Sequence, residues 1–133
     1  MEFLDEKTYV DQAEQVIKKL ADQSKDRNGN AHMLSTSKIR GILSMAADIY
    51  DSVQQNNSNE LGLEYVSRIE YLRVRMVYEI GRDTTYKVKD FIVSAKLLEY
   101  LKMIDGSKVN YILFYHYLEA LVAFHRYYGG RDN

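Results

Sequence analysis

The chain has 133 residues with no Cys, Pro or Trp, and a formal net charge of −1 from 18 Lys and Arg against 19 Asp and Glu. That length suits one domain burying roughly two-thirds of its unfolded surface, and the missing Cys excludes disulfides, thiolate nucleophiles, Fe–S clusters and Cys-ligated zinc. A near-zero charge speaks against a compact polyanion binder, yet residues 1–64 carry seven basic and eleven acidic side chains while residues 65–133 carry eleven and eight.

Without Pro and with only seven Gly, the composition favours helices over a turn-rich β architecture. Apolar spacing predicts about five helices, an all-α single domain over 1–133. In the first, Tyr9, Ala13, Val16, Ile17 and Leu20 recur at helical steps and stop near Ser24; the aperiodic SKDRNGNAHMLS follows. Ser35 or Thr36 is placed to cap the second, whose stripe runs Ile39, Ile42, Leu43, Ala46, Ile49, Tyr50 and Val53. After the polar QQNNSNE, with Ser58 or Asn59 as cap, the third buries Leu61, Tyr65, Ile69, Leu72, Met76 and Ile80 and ends near Gly81. Val88, Phe91, Ile92, Ala95, Leu98 and Leu101 define the fourth, closed by IDGS. The fifth, from about Ser107 to Tyr128, is apolar nearly all round and belongs inside a bundle or at a subunit interface. GGRDN reads as a flexible tail after a leading helix and loop over 1–35.

The third helix carries the most informative surface. At about 100° per residue, Arg68, Tyr71, Arg75, Tyr78 and Arg82 share one arc away from the core stripe, spread over about 20 Å. Guanidinium groups suit phosphate, and a phenol can stack on a base or bond a backbone oxygen. A solvated face with Tyr packed on neighbouring helices explains the same spacing. Arg73 falls on the core side, either as a stem whose head reaches solvent, as half of an internal ion pair, or on a face left uncovered in the monomer.

Lys38 and Arg40 lie in the first turn of the second helix, where outward N–H groups also favour phosphate, although salt bridges from that turn are the plainer use for them. Lys87 and Lys89 open the fourth helix just after Arg82, a placement that suits convergence at one corner or ordinary solvated lysines equally. Arg126 and Arg131 flank a Gly-Gly pair at the end of the chain.

Catalytic equipment is sparse. His116 and His125 sit about 180° apart on one helix, and His32 has no ligand nearby in sequence. Asp48 and Asp51 lack a Glu-x-x-His partner, and no phosphate loop, dinucleotide fingerprint, HExxH or GxSxG occurs. No enzyme activity, metal or cofactor is expected. No apolar run approaches the roughly 18 residues needed to span a bilayer, and the acidic start MEFLDEKTYVDQAEQ is unlike an export signal, so a cytoplasmic location is expected.

Four blocks in order, TSKIRGIL (36–43), YLRVRMVYEIGRD (71–83), VKDFIVSAKLLEYL (88–101) and YLEALVAFHRYYGGRDN (117–133), resemble the small helical subunit of the type III-A CRISPR interference complex, the Csm complex. The resemblance implies a non-catalytic RNA-binding subunit, a five-helix bundle stacked in several copies along the guide RNA and target RNA. Its partners would be other Csm subunits and further copies of itself. Carried over by position, the basic motif residues are Lys38, Arg40, Arg75, Arg82, Lys87 and Lys89; the ending with Arg126 and Arg131 matches with RNA contact or packing left open, and Arg68 rests on helical geometry. A protein-only adaptor that homodimerises through the apolar last helix is the competing expectation.

Overall fold

A computed structural model describes residues 1–132. The chain forms α1 (Tyr9–Gln23), α2 (Thr36–Gln54), α3 (Leu63–Arg82), α4 (Lys87–Ser94), α5 (Leu97–Met103) and α6 (Lys108–Tyr127). The all-α expectation holds, with six helices rather than five.

The apolar α6 lies at the centre, between α1 and α2, and also meets α5. Its buried side chains, Tyr111, Phe114, Tyr117, Leu118 and Leu121 among them, face several neighbours at once, which is why its sequence shows no clean polar side. Two tyrosines carry a hydroxyl into this core, and each finds a carbonyl. Tyr111 donates to the Ala46 carbonyl at 2.6 Å, and Tyr117 to that of Ala95 at 3.0 Å. Burial pushes both phenols well above their ordinary value of 10.0, so they remain donors.

The sixth helix arises from a break in the segment read as one. Lys96 adopts a left-handed conformation (φ 57°, ψ 36°), and the carbonyl of Ala95 is taken by Tyr117. The break advances the buried register by one residue. Leu97, Tyr100 and Leu101 are buried beyond it, whereas Leu98, assigned to the core from spacing, is only half-buried.

Caps fix the remaining ends. Ser35 caps α2 by accepting from Lys38 N at 3.2 Å, and Ser107 caps α6 through Asn110 N at 3.2 Å. Asn59, expected to cap the third helix, serves α6 instead: its carbonyl accepts from Lys108 N at 2.8 Å and its Oδ1 from Val109 N at 2.9 Å. The Lys108 ammonium in turn binds the Gln54 and Asn56 carbonyls at the end of α2.

The last described residues fold back on the bundle. Gly130 N donates to the His125 carbonyl at 2.7 Å, Arg126 Nη1 to the Gly130 carbonyl at 3.3 Å, and Thr36 N to the Arg131 carbonyl at 2.8 Å. A Cβ on Gly130 would stand 2.1 Å from His125 Cε1, so only glycine fits over that ring.

Candidate nucleic-acid interface

α2 and α3 run antiparallel side by side. Arg68 Nη2 donates to the Asp48 carbonyl at 3.2 Å, and near the other end Lys38 Nζ lies 3.1 Å from Asp83 Oδ1. Between these ties is an open groove lined by Met45, Asp48, Ile49, Arg68, Tyr71 and Arg75. The arc read from the sequence is real. Tyr71 and Tyr78 are each 60% exposed, and Arg75 and Arg82 also face solvent, so the two phenols are not spent on packing between helices. Arg82 Nε sits 3.6 Å from the half-buried Glu79 Oε2, a long contact with the arginine side open to water.

Asp83 organises the far end. Its carboxylate is buried and accepts from Val88 N at 2.9 Å, from the Thr85 hydroxyl at 2.8 Å and from Lys38 at 3.1 Å. Burial alone would raise its pKa, but these donors outweigh burial and hold the carboxyl well below its ordinary value of 3.8. One anion thereby gathers the end of α3, the start of α4 and the first turn of α2. Lys38 reaches this corner directly, Arg82 and Lys87 flank it in sequence, and the backbone of Arg131 joins it through Thr36. Arg82 is exposed, Lys87 is half-buried beside Asp90, and Lys38 divides its ammonium between Asp83 and solvent.

Other basic positions lie apart. Arg40, two residues beyond Lys38, points about 200° round α2 and is exposed away from the corner. Lys89 is exposed on α4, and Arg126 is tied to the tail carbonyl of Gly130. Arg73 leaves the core side by pairing with Glu70 of its own helix at 3.0 Å, the solvent-reaching stem among its three expected uses.

Two features escaped the sequence reading. Val74 and Val77 are more than half exposed on the outer face of α3, beside Arg73 and Leu98. Asp83 is the other: its carboxylate bonds Val88 N from three residues before the α4 N-cap, Tyr86, a spacing outside the ordinary N-cap pattern. His32 does have a partner, Asp26 at 2.8 Å, which with Asn28 and Asn30 forms a bonded loop. Among the described residues no three His, Asp or Glu side chains group as a metal site, and no helix is long and apolar enough to cross a membrane.

The family model described as Csm2 Type III-A matches residues 10–131. The chain belongs to that family. It is 40% identical over 132 residues to the CRISPR system Cms protein Csm2 of Streptococcus thermophilus, covering 99% of this chain and 100% of the relative. The protein of the same name from Mycobacterium tuberculosis is 40% identical over 124 residues, 93% of this chain and 94% of its own. The one from Enterococcus italicus is 31% identical over 98 residues, 71% and 68%. The matched span contains the α2–α3 groove and the whole Asp83 corner.

Proposed function

We propose that this protein is a non-catalytic, RNA-contacting structural subunit of a cytoplasmic type III-A CRISPR ribonucleoprotein, stacked in several copies beside guide RNA and target RNA. One observation carries the reading: Arg75 and Arg82 alternate with Tyr71 and Tyr78 on the exposed face of α3 and run into the cationic corner around Asp83. From Arg68 to Arg82 the helix rises about 21 Å, the length of several nucleotides. Arg forks and Lys ammonium groups suit backbone phosphates, so the contacts favour shape and charge over base sequence. The local clustering offsets the near-zero net charge, because a strip needs only its own field.

The competing reading, a homodimer through the last helix, would have to use the exposed side chains of α6 such as Val109 and Tyr127, because Tyr111, Phe114, Tyr117, Leu118 and Leu121 are already buried against its own neighbours. Co-expression with the neighbouring subunits tests the proposal. Recovery of the chain in a large assembly with a guide RNA supports it. Recovery only as a free, RNA-less oligomer contradicts it.

A further inference from the structure

Tyr86 stands at the head of α4 in a left-handed conformation (φ 64°, ψ 4°), with its side chain 68% exposed. Glycine or asparagine is the ordinary choice for such a backbone, and a bulky residue there is an outlier. The ring does not contribute to the core either. It is nonetheless carried rigidly. The Asp83 carboxylate accepts from Thr85 N at 3.2 Å and from Val88 N at 2.9 Å, bracketing Tyr86 on both sides, and the Tyr86 carbonyl accepts from Asp90 N at 2.9 Å to start the helix. The exposed Arg82, 3.6 Å from Glu79, lies four residues before it and the half-buried Lys87 directly after.

An exposed aromatic ring on a fixed turn between cations is the arrangement that stacks on a base while its neighbours hold the adjoining phosphates. A base inside a duplex has both faces covered, so the ring needs an unpaired one. Resting on the RNA reading above, we infer that Tyr86 is a stacking residue for an unpaired base, and that the Asp83 corner takes a single-stranded RNA segment rather than continuous duplex.

The chain has no Trp, so Tyr86→Trp places a single, selectively excitable indole at the site. A single-stranded RNA oligonucleotide is expected to quench that Trp, whereas a blunt RNA duplex of equal length and inorganic polyphosphate leave it nearly unchanged. Tyr86→Gly suits the backbone, so its thermal midpoint should stay at or above the parent while affinity for the single strand falls roughly 5- to 150-fold. Tyr86→Phe should retain that affinity. Single-strand binding that Arg82→Ala weakens but Tyr86→Gly does not would overturn the stacking role and leave the wider RNA reading standing. Equal quenching by polyphosphate, or quenching by another subunit and not by RNA, would also overturn it. A full chain that binds no RNA, alone or assembled, removes both.

Discussion

Lys38 Nζ lies 3.1 Å from Asp83 Oδ1 and joins the first turn of α2 to the residue that closes α3, across 45 residues of sequence. The lysine is 44% exposed and the aspartate 3%, so the pair is anchored at the buried carboxylate and open at the ammonium. The start of α4 hangs on the same carboxylate. Removing it therefore disturbs three helix ends together.

Asp83→Ala should destabilise the fold by about 2–3 kcal/mol, from a lost cap and lost hydrogen bonds to a buried charge. Because the folded carboxyl titrates below its ordinary 3.8, its contribution is complete above that value and is lost as pH falls below it. Denaturant unfolding between pH 7 and pH 2 checks both points. Asp83→Asn should lower stability at pH 7 and flatten the decline below pH 4.

Tyr117→Phe removes the hydroxyl that holds the Ala95 carbonyl where α4 gives way to α5. A buried carbonyl left without a donor costs about 1–2 kcal/mol. Chemical denaturation should show that loss, with hydrogen exchange quickening first at the amides of residues 95 to 100. An unchanged midpoint would mean that the break is set by packing alone.

His125 is buried and its Nε2 bonds the Leu34 carbonyl at 2.8 Å, which fixes the proton there and leaves Nδ1 as an unpartnered acceptor. Burial lowers its pKa from the ordinary 6.5, outweighing the Leu34 bond, and Arg126 adds to the lowering. Above pH 6.5 the ring is neutral in both folded and unfolded chains. As pH falls below that value the unfolded chain takes up the proton more readily, so stability should decline, and His125→Gln should remove that limb of the profile. Gly130→Ala presses a methyl group into the same ring and should cost about 1–3 kcal/mol at any pH, read from thermal melts.

Helical periodicity made most of the bundle legible, because burial of one stripe per helix is a local demand. The α3 stripe Ile69, Leu72 and Met76 is buried as its spacing required, and of the arc opposite it Tyr71, Arg75, Tyr78 and Arg82 are exposed while Arg68 is half-buried against α2. The Ala95–Lys96 break was not legible. Apolar residues continue on both sides of it, and the acceptor role of Ala95 depends on Tyr117, 22 residues away. The Asp83 corner was half legible. Arg82, Asp83 and Lys87 are neighbours in sequence, but Lys38 reaches Asp83 only because α2 and α3 pack antiparallel. Exposure of Val74 and Val77 was hidden for a different reason: β-branched residues suit core and surface positions alike, and only tertiary packing decides which helix face is covered.

The central claim is that the α3 strip and its corner hold RNA phosphates. Its most direct test is the salt dependence of single-stranded RNA affinity, compared between the parent chain and Arg75→Ala/Arg82→Ala. With about five phosphate contacts, a fourfold rise in salt should weaken parent binding on the order of a hundredfold, and each lost arginine should lower the log–log slope by about 0.7–1. A slope near zero, or one the double substitution leaves unchanged, would contradict the account.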